Sequence, residues 1–288
     1  MQLHYHVTTN GNFGDDLNAW IWDELLPGWE KWDTESTLVG IGTLLNDERL
    51  SQFSKQKLLI IGSGVGYGSV PKLPLPKNWD IRCVRGPRRA NLLGIDAGKA
   101  VIDPAALLPD LKEFQALQNT QETIFVPHAA TSSRFHWKAI QERCSVKIVL
   151  PDQDAKTVVT AIGSAKLVVA ESMHAAIIAD TFRVPWIGVK ISDLFLRDKW
   201  LDWAESLQVS PNIEDLLPSI GKIRWPNRSF QDSPRFLRKL RHRLESYYLP
   251  KAIDEAAHRR PQLSDETLLK NKKNILRSIL EKTADDYA

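Results

Sequence analysis

Two histidines stand where an α/β chain places its reactive groups. His128 follows the apolar run TIFV in VPHAA, and His174 follows KLVVA in ESMHAAIIAD. Both occupy the same position in successive strand–loop–helix units, and His174 falls in the first turn of its helix. The positive end of a helix disfavours an imidazolium, so a ring placed there is held neutral and can accept a proton near pH 7. General acid–base chemistry is what such a residue offers. A lone histidine is more often structural, but two at equivalent strand ends point to a site.

Other candidates cluster at strand ends. Arg85 closes DIRCVRG, with Arg88 and Arg89 on the helix behind it. A guanidinium is permanently charged and planar, and it matches phosphate or carboxylate through two parallel hydrogen bonds. Gly62, Ser63 and Gly64 open GSGVGYG after the longest apolar run. Glycines there let the backbone approach a ligand and its N–H groups cradle a phosphate. The stretch is neither a dinucleotide fingerprint, because VPKLPLPKNW is proline-broken, nor a Walker loop, because GK[ST] is missing. In TNGNFGDDLN, Asn12, Asp15 and Asp16 suit sugar hydroxyls, or serve as a helix cap and turn. Cys83 and Cys144 have neither disulfide-framework nor metal-site spacing, and no metal-ligand cluster is expected.

The elements that must hold these groups alternate. Strand signals at 3–7, 36–42, 57–64 and 80–86 are followed by cleaner ones at 123–130, 146–151, 166–172 and 184–190. Helical periodicity covers 17–26, 133–144, 154–165 and 174–183. This order predicts α/β architecture: two doubly wound halves, residues 1–117 and 118–225, each a parallel sheet covered by helices. From 226 to 288 strand signals stop and basic helices follow, in RFLRKLRHRLESYYL and ETLLKNKKNILRSILEK. Such helices either pack an apolar side on the body or lie on anionic lipid.

Composition bounds the rest. Hydrophobic content of 43% and charged content of 25% are those of a globular chain, and a net charge of +3 makes no case for nucleic acid. The N-terminus lacks a signal-peptide layout and no apolar run reaches membrane-span length, so a cytoplasmic location is expected. Ten tryptophans against five tyrosines are mainly core residues, with sugar stacking a second use.

Taken in order, NFGDDLN, GSGVGYG, VRGPRRANLLGI, DPAALLP, VPHAA, ESMHAAIIADTFRVPWIGV and DKWLDW resemble the polysaccharide pyruvyltransferase family. The form with HAAIIAD, VPW and KW resembles the succinoglycan-type branch. The resemblance implies a GT-B-like fold, two Rossmann-like halves facing a cleft. It also implies transfer of the enolpyruvyl unit of phosphoenolpyruvate to two hydroxyls of one sugar, with a cyclic ketal formed and phosphate released. No cofactor is implied beyond that donor substrate. The acceptor would be a sugar, in the family often lipid-linked, so the basic helices would touch the inner membrane leaflet.

The family's donor-handling residues map to Arg85, to Ser172-Met173-His174 and to Lys199. His174 takes the acid–base role, Arg85 and Lys199 the anionic groups, and Asn12, Asp15, Asp16 and His128 the acceptor. Ser172 stands where most of the family has arginine; Arg134, Arg183 or Lys190 are candidate replacements. A GT-B glycosyltransferase with a nucleotide-sugar donor, and a catalytically inactive scaffold of the same fold, are the competing readings.

Overall fold

A computed structural model describes residues 1–53, 55–66, 68–222 and 234–288. Nine strands form two parallel sheets. The first contains β1 (Gln2–His4), β2 (Ser36–Val39), β3 (Lys57–Ser63) and β4 (Trp79–Val84) in the order β1-β2-β3-β4. The second contains β5 (Thr123–Val126), β6 (Lys147–Ile148), β7 (Leu167–Ala170), β8 (Trp186–Lys190) and β9 (Ile213–Asp215) in the order β6-β5-β7-β8-β9. Every pairing in both sheets is parallel.

The two orders differ in a way that matters for the site. In the second sheet the chain steps from β5 out to β6, then returns past β5 to β7. Winding reverses between β5 and β7, and ligands of open parallel sheets bind outside the strand ends at such a reversal. The described strands of the first sheet run one way only, so two-way winding, expected of both halves, is found in the second alone. The connection from β3 to β4 explains part of this: residues 68–78 carry prolines and no helix, as the broken pattern predicted.

Other boundaries move as well. The expected helix at 133–144 shrinks to Trp137–Gln141, and a separate turn of helix, Ala129–Ser132, precedes it. The expected strand at 3–7 ends at His4, which puts His6 beyond a strand end.

Helix Met173–Thr181 is apolar all round, and all nine of its residues are buried. Its one carboxylate is fully engaged: Asp180 accepts from Trp186 Nε1 at 3.0 Å, and from the backbone and hydroxyl of Ser264. The Asp and Trp of HAAIIAD…VPW are therefore one buried polar contact in the core.

The halves share a core. Phe13, Leu17 and Ile21 pack in one apolar cluster with Val158, Val159, Met173 and Ile177. Across the junction, Asp202 accepts from the Arg89 backbone at 3.0 Å, and Arg88 reaches Asp198 at 2.9 Å and Glu205 at 2.6 Å. The basic C-terminal helices belong to this body. Helix Arg235–Ala256 buries Leu249, Ile253 and Ala256 with Phe125, Trp137 and Ile187. Helix Glu266–Tyr287 returns to the first half, where Tyr287 donates to Asp80 at 2.8 Å and stacks under Lys57.

Candidate functional site

The loops after β5 and β7 meet at the reversal point, and Glu171 ties them together. This fully buried carboxylate accepts from His128 N, Thr131 Oγ1, Ile191 N and Ser192 N at 2.8–3.0 Å. Burial pushes its pKa upward and the four donors pull the other way. All four partners are donors, which is the pattern of an ionised carboxylate. Glu171 thereby fixes the ends of β5, β7 and β8 around one cavity.

That cavity, of about 410 Å³, is lined on the second-half side by His128, Ser172, Met173, His174 and Lys199. On the first-half side it is lined by His6, Asn12, Asp15, Thr43 and Arg49. Its volume is in the range of small-ligand sites.

His174 stands in the first turn of its helix, as its spacing predicts. Its Nε2 is shut away from solvent and faces Asp103 Oδ2 at 3.6 Å. On the other side the ring lies against Gly14, whose hydrogen occupies space that any Cβ would contest with His174 Nδ1. Nδ1 is the ring nitrogen packed against Gly14, and the residue as a whole lines the cavity.

His128 caps the helix that follows it: its Nδ1 accepts from Ala130 N at 3.2 Å. With Nδ1 accepting, the proton sits on Nε2, a donor available to a ligand. Burial, then the charges of Lys199 and His174, push its pKa down to about 3. His128 is thus a neutral hydrogen-bonding group at physiological pH.

Lys199 is also nearly buried. Burial and neighbouring Arg85 push it down to about 8, while Asp15 and Glu171 pull it back up. It keeps most of its charge at neutral pH. Asp15 is raised by burial, against the pull of His174, Asn12, His6 and Lys199, and its Oδ2 accepts from Asn12 Nδ2 at 2.6 Å. Ser172 lines the cavity with its hydroxyl, which has no hydrogen bond among the described residues although the residue occupies the N-cap position.

Five expected residues and one group of replacements lie elsewhere. Arg85 is fully buried behind Lys199, outside the cavity lining, with Asp202 Oδ2 at 3.7 Å and no hydrogen bond among the described residues. Gly62 packs on the ring of Pro104, Ser63 donates to Val39 O and Gly40 O, and Gly64 backs onto the Arg85 guanidinium. Their glycine character is required by this packing, and at Gly62 also by a φ of +73°. Asp16 accepts from Asn12 N at 2.8 Å and shapes the loop from outside the lining. Of the replacements, Arg134 pairs with Glu245 at 2.6 Å, Arg183 donates to Ser264 O at 2.7 Å, and Lys190 reaches Asp215 at 3.5 Å. Among the described residues no tryptophan lines the cavity; Trp186, Trp200 and Trp203 pack on one another in the core.

Sequence reasoning missed His6, Arg49, Asp103 and Glu171. A strand drawn through 3–7 hid His6; ended at His4, it would have put His6 at a strand end. Asp103 was quoted within DPAALLP and read only as part of a motif.

Among the described residues no group of three or more His, Cys, Asp or Glu could hold a metal ion. No described helix is long and apolar enough to cross a membrane.

The family model for polysaccharide pyruvyl transferase matches residues 22–193, a stretch that contains Asp103, His128 and His174. The chain is 38% identical, over 319 aligned positions covering 100% of both chains, to the succinoglycan biosynthesis protein ExoV of Rhizobium meliloti (strain 1021). With the family model spanning more than half of its length, the chain belongs to the polysaccharide pyruvyl transferase family.

Proposed function

We propose that the cavity around His174 is the place where phosphoenolpyruvate and a sugar react. Family membership makes the chain an enzyme that transfers an enolpyruvyl group from phosphoenolpyruvate to a polysaccharide hydroxyl. The observation that supports the placement is a single one: His174, with a buried carboxylate behind Nε2, lines the cavity together with Lys199.

The chemistry follows from those positions. A proton passes from the protonated His174 ring to the methylene carbon of the donor, and the adjacent carbon becomes oxocarbenium-like. A sugar hydroxyl attacks that carbon and gives up its proton to the ring. Phosphate then leaves with its bonding electrons, and the second hydroxyl closes the ketal as its proton passes to the departing phosphate. Lys199 offsets the charge of the donor, and Asp103 holds the imidazolium during the first step. Ser172 and the Nε2–H of His128 are donors to phosphate or carboxylate, while Asn12 and Asp15 face the acceptor. Arg85 acts on the donor through Lys199, as a buried charge that shapes its titration.

The finer architecture is read in the same way: a GT-B-like pair of Rossmann-like halves, divided at 117/118, with residues 226–288 as a helical extension. The acceptor is proposed to be an exopolysaccharide precursor carried on lipid at the inner leaflet. Helix Arg235–Ala256 supports this, because Phe236, Leu240 and Tyr247 are exposed on it, interleaved with Arg235, Arg238, Lys239 and Arg243. Cytoplasmic placement follows from that reading. Flotation with anionic vesicles tests it: reversal of Arg235, Lys239 and Arg243 to Glu is expected to abolish binding, and unchanged flotation would remove the membrane contact.

Calorimetric titration with phosphoenolpyruvate, UDP and GDP tests the reaction class. Saturable binding of phosphoenolpyruvate alone is expected. Nucleotide binding without it would replace this reading with a glycosyltransferase, for which the lining offers no Tyr, Phe or Trp among the described residues to stack a base.

A further inference from the structure

We infer that Arg49 is a donor-binding residue, its guanidinium pairing with an anionic group of phosphoenolpyruvate from the first-half wall of the cavity. The inference rests on the pyruvyl transfer reading and extends it to a residue that neither motif nor strand-end position indicates.

The argument begins with charge. Phosphoenolpyruvate carries a carboxylate and a phosphate, so a site for it needs more than one cation or a dense set of donors. Each candidate from the sequence other than Lys199 is spent or sealed: Arg134 on Glu245, Arg183 on Ser264, Lys190 on Asp215, and Arg85 at zero exposure behind the lining. Among the described residues two Lys or Arg side chains line the cavity, Lys199 and Arg49. Lys199 is already balanced by Asp15 and Glu171, both of which pull on its titration. One balanced ammonium is a poor match for a donor with two anionic groups.

Arg49 is held differently. Its backbone is pinned on both sides: the N–H donates to the buried side chain of Asn46 at 2.9 Å, and the carbonyl accepts from Gln52 Nε2 at 2.8 Å. Its guanidinium has no carboxylate within 4.0 Å and no hydrogen bond among the described residues. The neighbouring acid, Glu48, is turned away onto Ser69, whose N–H and hydroxyl it accepts at 2.6–3.0 Å. The one carboxylate in the lining, Asp15, is held by Asn12. A half-buried arginine with a fixed backbone, facing a cavity and lacking an internal counter-ion, is arranged for an anionic ligand. It also brings a group from the first half onto a donor otherwise held by the second.

Titration of the full chain with phosphoenolpyruvate tests this, using Arg49→Ala, Arg49→Lys and, as a surface control, Lys156→Ala. Arg49→Ala is expected to weaken binding by about tenfold or more, with an unchanged melting temperature. Arg49→Lys restores charge without the planar fork, so it should fall between the two. In turnover, KM for the donor rises more than kcat falls. Wild-type binding with Arg49→Ala within twofold of it would overturn the inference and leave the reaction class standing. No saturable binding by the wild type would overturn both.

Discussion

His174 Nε2 and Asp103 Oδ2 face each other at 3.6 Å, and neither atom has a hydrogen bond among the described residues. Both are buried, so each carries the desolvation cost of an unpaired polar group. Catalytic hydrogen bonds are commonly long before substrate binds, and a shift of a few tenths of an ångström would close this one. The other carboxylate oxygen, Asp103 Oδ1, caps the following helical turn by accepting from Ala105 N at 3.0 Å. That cap fixes the direction from which the free oxygen looks at the ring.

Asp103→Asn keeps the cap and removes the charge behind the ring. We expect kcat to fall by about 10²-fold with little change in KM or melting temperature. His174→Ala should abolish turnover and leave donor binding nearly intact. Full turnover in His174→Ala would end the acid–base assignment.

Gly14 is the companion wall. A Cβ there would overlap His174 Nδ1, so Gly14→Ala should displace the ring and cost activity out of proportion to stability. Side-by-side kinetics and thermal melting check this; wild-type kcat in the variant would show that the ring's position against Gly14 is not required for turnover.

Lys199 sets the alkaline limb. With its pKa pushed down to about 8, donor kcat/KM should decline as pH rises through that value. The stability effect has the opposite sense. A folded pKa below the unfolded 10.5 favours folding most above 10.5, and the benefit is lost as pH falls through about 8. At pH 7 the buried ammonium is therefore a cost. Lys199→Met should melt higher than wild type while losing donor affinity, and a lower melting temperature would contradict the sign.

Tyr287 fastens the last helix to the first sheet through Asp80, Lys57 and Arg82. Tyr287→Ala should cost about 3 kcal/mol in urea unfolding. A loss below about 1 kcal/mol would show that the helix is held elsewhere.

The second half was the more legible part of the sequence. Apolar runs ending at His128 and Ser172 marked β5 and β7, because parallel strands buried on both faces are near-continuous hydrophobic segments. Order along the chain then implied that both histidines stood at strand ends. It did not reveal that β6 pairs outside β5, the arrangement that brings the two loops together. Arg85 shows a different limit: a strand-end position indicates a loop, not what covers it, and here Asp202 and Lys199 on helix Arg197–Ser206 do so. Arg49 was invisible for the same reason. Its helix, Asp47–Leu50, is a single turn with no periodicity to read, and its place in the cavity comes from contacts between distant segments.

The contact between Asp80 and Tyr287 spans 207 residues, and Leu269, Leu276 and Leu280 complete the same apolar cluster as Phe13 and Ile61. During synthesis at the ribosome, the first sheet must therefore wait with part of its surface uncovered until residues 266–287 have emerged. The second half also receives a late cover, helix Arg235–Ala256 on Phe125, Trp137 and Ile187, but that helix emerges before residues 266–287. The first half, although made first, is accordingly the last to be completed.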